Sequence, residues 1–295
     1  MAEGPTRSRA AENEQGGRRD RARPPSPEAL PHPVVDNHCH LDIADGDWFE
    51  IGEAISAAAD VGVRRIVQIG CDLPGAAWAV EAAEQHPELV AGVALHPNEA
   101  PRLAEAGRLD EAMAEIERLA QAHDGVRAVG ETGLDYFRTG PEGRDAQVES
   151  FVRHLDLAKR LGKTLVIHDR DAHDDVLDLI EAEGAPERWV MHCFSGNPRF
   201  ARACLDRGAY LSFAGTVTFK NAQPLRDALA VTPLERVLVE TDAPFLTPTP
   251  YRGRPNASYL VPVTVRAMAA VRGEDLSTLC QAIDRNTEEA YGGPW

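Results

Sequence analysis

Eight short runs rich in β-branched residues alternate with longer stretches of helical spacing, and that repeat restricts the possible folds more than any other feature of the sequence. The runs cover residues 34–42, 64–70, 89–96, 126–134, 164–169, 188–194, 209–214 and 236–241. Between them, residues 48–60, 75–85, 110–122 and 145–161 place apolar side chains at i, i+3 and i+4. Shorter helical stretches lie at 172–183, 198–207 and 223–230, and a closing pair runs near 261–271 and 276–291. Strand followed by helix, repeated around the chain, predicts an α/β fold with a parallel sheet closed into a (β/α)8 TIM barrel. Leu165-Val166-Ile167 and Val237-Leu238-Val239 are apolar throughout, as expected of strands covered on both faces. An open doubly wound sheet would show the same alternation, so the decision falls to the polar residues at the strand ends.

The first run closes on Asp36-Asn37-His38-Cys39-His40, and the fourth on Gly130-Glu131-Thr132-Gly133-Leu134-Asp135. The fifth ends in His168, the sixth in His192, and the eighth is followed directly by Asp242. Residues i and i+2 of a strand share a face, so His38 and His40 point the same way. On an open sheet these groups would be spread along an edge. In a closed barrel the C-terminal strand ends meet at one mouth, where barrel enzymes keep their active sites. A single histidine at a strand end is an ordinary hydrogen-bonded residue; six suitable residues at matching ends are a site.

Four histidines and two carboxylates exceed the three protein ligands that one catalytic metal commonly uses. Two divalent cations sharing a carboxylate suit the set better. The expected assignment puts His38, His40, Glu131 and Asp242 on one cation and Glu131, His168 and His192 on the other. Glu131 is then the bridge, and Asp242 orients and deprotonates the attacking water. Zn2+, Mn2+ or Mg2+ are all candidates; imidazole-rich ligation favours the first two.

Composition narrows the alternatives. The net charge of −16 argues against a protein that grips nucleic acid through a broad basic surface, though bound cations could bring a phosphodiester to the mouth. No apolar run has membrane-spanning length, and no hydrophobic leader is seen. Five scattered cysteines without a C-x-x-C pair suit a reducing cytoplasm. Cys39 and Cys193 adjoin site histidines but are expected to point away from them. Residues 1–33, rich in Arg, Glu, Gly and Pro, are expected to be a disordered, solvated tail. Residues 34–295 then form a single barrel domain, and nothing marks an obligate protein partner.

The ordered motifs resemble the TatD-type metal-dependent deoxyribonucleases. The resemblance runs from Val35 to Tyr291. It rests on Asp36-x-His38-x-His40-Leu41, Leu95-His96-Pro97, Gly130-Glu131-Thr132-Gly133-Leu134-Asp135-Tyr136 and His168-x-Arg170-Asp171-Ala172. Further along come His192-Cys193-Phe194-Ser195-Gly196, Thr218-Phe219-Lys220-Asn221 and Glu240-Thr241-Asp242-Ala243-Pro244. It implies an amidohydrolase-like barrel, DNA as substrate and 3′→5′ exonuclease hydrolysis, with the metal ligands on the six residues above. Asn37 replaces the Ser or Thr frequent in that family, and the loop after Asp242 reads Asn256-Ala257-Ser258-Tyr259. Amidohydrolase relatives often bridge their metals with a modified lysine; Lys163 lies at the wrong end of the fifth strand, which leaves that role to Glu131.

Several neighbours carry two readings. His96 either meets substrate phosphate or a metal-held water, or stabilises its His-Pro turn. Arg170 either grips a phosphate or pairs with a nearby Asp. Lys220 and Arg252 either meet a nucleic-acid backbone or face solvent. Asp135 and Asp171 could orient ligand histidines, and Asp171 could instead cap a helix. Rival functions on the same metals are hydrolysis of another ester or amide, such as an aminoacyl ester or lactone, and a non-catalytic metal-binding scaffold. A nucleic-acid binder without catalysis is disfavoured by the acidic charge.

Overall fold

Alternating burial sorts the side chains of each strand into two cores, and that sorting builds the barrel. The computed structural model describes residues 4–12 and 17–294. Its barrel strands are β1 (Val34–Cys39), β2 (Val63–Gly70), β3 (Leu89–Val93) and β4 (Val126–Asp135), then β5 (Thr164–Arg170), β6 (Trp189–Met191), β7 (Tyr210–Phe213) and β8 (Val237–Val239). They pair in parallel in chain order. Beyond β8 the ring is drawn together by a bridge between Cys39 and Ala243. Val35, Val67, Val90, Val166, Val190 and Leu238 fill the barrel interior, with Tyr291 among them. Val34, Ile66, Leu89, Leu165, Trp189 and Val237 pack outward against the helices.

The helices between strands are α1 (Ile51–Asp60), α2 (Leu73–Gln85), the short α3 (Ala100–Glu105), α4 (Leu109–Ala120), α5 (Pro141–Leu161), α6 (His173–Glu183), α7 (Pro198–Leu205) and α8 (Gln223–Val231). The chain closes with α9 (Val261–Arg272) and α10 (Leu276–Ala290). Local chemistry sets several starts. The Asp72 side chain accepts from Gly75 N at the head of α2, and Asn197 accepts from Arg199 N and Phe200 N at the head of α7. At the other end of α5, Gly162 takes the left-handed conformation (φ 61°) that ends a helix. Among the described residues no helix is long and apolar enough to cross a membrane.

The N-terminal segment departs from the solvated tail that its composition suggests. Arg7–Ser8 pairs in parallel with Ile43–Ala44, just beyond β1. Trp78 Nε1 donates to Gly4 O at 3.0 Å and Tyr259 Oη to Pro24 O at 2.6 Å. Specific partners on the barrel hold these residues, which a sum over the segment's own charges does not register. Residues 1–3 and 13–16 of the expected tail lie outside the described residues.

Candidate metal centre

Strand parity carries the site residues inward. His168 follows Val166 by two positions and His192 follows Val190 by two, and both valines line the barrel interior. Two irregularities supply the rest. Register shifts between Asp36 and Cys39, so His38 and His40 enter the mouth while Cys39 joins the outer core. Register shifts again between Gly130 and Thr132, which turns Glu131 toward the mouth. Gly133 (φ 140°) permits that path, because an added Cβ would run into the His168 carbonyl oxygen.

The six expected residues meet at one place. His38 Nε2 lies 3.2 Å from Glu131 Oε2 and 3.9 Å from Asp242 Oδ1. His40 Nε2 lies 3.8 Å from that Glu131 oxygen and 3.3 Å from Asp242 Oδ1. Four ligands held tetrahedrally at about 2.1 Å from one ion would stand about 3.4 Å apart; His38, His40 and Asp242 form one cluster close enough to hold a metal, and His38, Glu131 and His192 form another. The other Glu131 oxygen, Oε1, lies 2.7 Å from His168 Nδ1 and 3.0 Å from His192 Nε2, while the clusters able to hold a metal join His192 to His38 and Glu131, and His168 to His96 and Asp135, which departs from the expected division. Ring orientations fit ligation. His40 Nδ1 lies 2.9 Å from Ile69 O and His192 Nδ1 lies 3.2 Å from Glu240 Oε1. Hydrogen bonds there would keep the protons on Nδ1 when a cation is bound and free each Nε2 lone pair for it.

Electrostatics favour binding of positive charge here. Burial alone would raise the Glu131 carboxyl, but His192, His96 and His168 hold it well below the usual range. Burial works likewise against Asp242, and His40 outweighs it to keep that carboxyl low. Burial also opposes protonation of His192, yet Glu131 and Glu240 lift its pKa well above the ordinary value. Buried carboxylates that draw protons onto neighbouring imidazoles are a place where cations would be favourable. His38, stacked on His192 at 3.9 Å, moves the other way, lowered by burial and by that neighbour.

The surrounding residues resolve some of the paired readings. His96 Nδ1 accepts from Asn98 N at 3.1 Å, which steadies the His-Pro turn. The same bond places the proton on Nε2, 3.4 Å from Glu131 Oε1, and His96 also groups with Asp135 and His168 in a cluster able to hold a metal. Asp135 Oδ2 lies 3.5 Å from His168 Nε2 and accepts from Asn98 Nδ2 at 3.1 Å. Asp169, in place of the expected Asp171, accepts from Ala172 N at the start of α6. Arg170 stacks on Phe137, 3.8 Å from the ring centre, and Phe137 is a large apolar side chain exposed at 61%. Lys220 and Arg252 line one hollow with Phe219, and Arg252 stacks on that ring at 4.0 Å. Lys163 bonds Val126 O at the entrance of β4, away from the mouth.

Two contributors are absent from the sequence-based set. Glu240 is fully buried; its Oε1 accepts from His192 Nδ1 and Cys193 N, and its Oε2 from Ser212 Oγ. Its signal was available, since it lies two residues before Asp242 on the same face. Cys71, just past β2, sets its sulfur 3.4 Å from Glu131 Oε2 and 3.7 Å from His40 Nδ1. Burial pushes that thiol up to about 12, and Cys71 groups with His40 and Glu131 in a cluster able to hold a metal. Cys39 and Cys193 occur in none of the clusters able to hold a metal among the described residues.

Comparison with known proteins agrees with this geometry. The model of the family described as TatD related DNase matches residues 35–292. The chain belongs to the TatD family. A Mycobacterium tuberculosis relative, named an uncharacterized metal-dependent hydrolase TatD, is 44% identical over 267 residues, covering 89% of this chain and 99% of its own. The Escherichia coli hydrolase YcfH is 36% identical over 256 residues, covering 86% and 93%. The crystal structure of YjjV, a TatD homologue from Escherichia coli K12, superimposes with a TM-score of 0.81 at 27% identity over 88% of this chain and 98% of that one. The protein is a TatD-family metal-dependent hydrolase with a TIM-barrel fold and buried His, Glu and Asp clusters able to hold metal.

Proposed function

We propose that this TatD-family hydrolase is a deoxyribonuclease that uses two divalent cations, bridged by Glu131, to hydrolyse DNA from the 3′ end. The observation that carries the two-cation reading is the division of Glu131. Its Oε2 faces His38 and His40, and its Oε1 faces His168 and His192. The family's description as DNases supports the substrate.

Bound cations would supply Lewis acidity toward a phosphoryl oxygen and a water acidified near neutral pH. The chain's own groups do the rest. Asp242 is 15% exposed, against 5% for Glu131, so it is the carboxylate nearer the entering substrate. With Oδ1 beside His40, Oδ2 would take the proton of the attacking water, and the lowered pKa keeps the group ionised. His96 Nε2–H points to the same space and can donate to a non-bridging phosphate oxygen. Phe137 with Arg170, and Phe219 with Arg252 and Lys220, offer a base a stacking face and a phosphate a cation. Five unpaired cysteines support a reducing, cytoplasmic location.

The test is digestion of 3′- and 5′-labelled single- and double-stranded DNA by protein stripped with chelator and reloaded with Zn2+, Mn2+ or Mg2+. Expected are stepwise shortening from the 3′ end, no cleavage in chelator, and a loss of about 10³-fold or more in His168→Ala and Asp242→Ala. Metal-loaded protein that leaves DNA intact but cleaves an aminoacyl ester, amide or lactone would overturn the substrate assignment. Unchanged cleavage in both variants would overturn the site.

A further inference from the structure

The family match begins at residue 35, yet the segment before it reaches both loops that carry one side of the metal centre. Arg9 N donates to Ala44 O at 2.8 Å and Thr6 N to Asp42 O at 2.8 Å, on the loop that leaves His40. The next residue, Asp45, has a side chain only 1% exposed. Its carboxylate receives Arg19 at 2.8 and 2.5 Å and Arg9 at 3.1 Å, and Arg21 approaches to 4.0 Å. All three arginines belong to the extension. A carboxylate so buried needs such partners, so Asp45 and the extension are matched parts.

The consequence for the site lies in a ladder. Asp242 N donates to His38 O at 2.9 Å, and His40 N donates to Ala243 O at 2.8 Å. These two rungs tie the strand bearing His38 and His40 to the segment bearing Asp242. Past them, Arg9 Nη1 spans the same pair of loops: it donates to Asp45 Oδ2 at 3.1 Å and to Pro244 O at 2.9 Å. Its guanidinium also lies 4.7 Å from the centre of the Phe245 ring, which sits edge-on to His40 at 6.1 Å.

We propose that the N-terminal extension is a clamp on the metal centre, in which Arg9 adds a third rung and holds the His38, His40 and Asp242 donors in register for a divalent cation. Arg9 touches none of those donors, so it is a positioning residue. Without the rung, the loops after His40 and Asp242 gain freedom that cation binding must remove, and affinity falls by that cost. The inference rests on reading the site as a metal centre.

The experiment uses the full chain, stripped of metal, as wild type, Arg9→Ala, Arg9→Lys and Asp45→Asn. Zinc is titrated against a fluorescent chelator, and amide hydrogen exchange is followed in the metal-free protein. Arg9→Ala and Asp45→Asn are expected to weaken one zinc equivalent about tenfold, the lower end of what supporting residues of metal sites contribute. They should also speed exchange at the His40 and Asp242 amides several-fold while β3 and β6 exchange as in wild type. Arg9→Lys keeps the charge, but its shorter side chain must bring one ammonium to both acceptors that Nη1 bridges and cannot lie flat against Phe245, so it should recover only part of the loss. Zinc affinity within twofold of wild type and unchanged exchange in Arg9→Ala would overturn the clamp alone. A wild type that takes up no zinc would overturn the metal reading and the clamp with it.

Discussion

Glu240 offers the sharpest check on how the site is held. Its two oxygens divide the work: Oε1 accepts from His192 Nδ1 at 3.2 Å and from Cys193 N at 2.9 Å, while Oε2 accepts from Ser212 Oγ at 2.5 Å. Ser212 Oγ already accepts from Asn37 Nδ2 at 2.7 Å, so its own hydrogen is committed to Glu240. Glu240→Gln can keep both bonds on Oε1 but must turn an amide N–H toward that hydroxyl. The expected stability cost is about 1 kcal/mol, that of one ordinary hydrogen bond. Removing the negative charge also makes His192 a weaker ligand, and partners of this kind contribute 10–100-fold to metal affinity, or about 1.4–2.8 kcal/mol. Glu240→Ala strands three buried donors, His192 Nδ1–H, Cys193 N–H and Ser212 Oγ–H, at about 2 kcal/mol each, for a loss of about 6 kcal/mol.

Two measurements separate these effects. Urea unfolding of metal-free protein reads stability, and zinc titration against a competing chelator reads the site. The Gln variant should lose affinity at least tenfold with little change in urea midpoint, and the Ala variant should lose both. Wild-type zinc affinity in Glu240→Gln would refute the claim that this carboxylate sets the ligand character of His192.

The remaining predictions concern a buried histidine and an exposed ring. His154 Nε2 accepts from Leu95 N at 3.1 Å and its Nδ1 donates to Ser150 O at 2.7 Å, and burial lowers its pKa to about 4. The unfolded chain takes up that proton near pH 6.5 and the folded chain only near pH 4, so its contribution is full above pH 6.5 and is lost as pH falls through that window, by about 3 kcal/mol. Urea unfolding of chelator-treated wild type and His154→Gln from pH 7 to 4.5 should therefore show a steeper decline in the wild type, and parallel curves would contradict it. Phe137→Ala is expected to raise KM for single-stranded DNA about tenfold with kcat within twofold, since stacking on an aromatic ring contributes about 1–3 kcal/mol per base; an unchanged KM would remove Phe137 from the substrate path.

What could be read from the sequence, and what could not, follows from the range of each physical rule. Strand parity is local, so His168 and His192 were placeable once β5 and β6 were recognised. Convergence is a property of barrel closure, which made His38, His40, Glu131 and Asp242 one site before any distance was known. Glu240 obeys the same parity, but its importance depends on Ser212 and His192, which lie on two other strands. Only lateral register brings those three together. The extension shows the opposite limit. Averaged over residues 1–33 its charges nearly cancel, which suggests a segment with no reason to fold back. Stability depends on particular pairs, and Arg9 and Arg19 are paired with a buried carboxylate outside the segment. Asp45 lies five residues beyond His40, on the loop that follows it. Burial turns it into the residue that anchors the extension, because a carboxylate shut away from water cannot be left without its arginines.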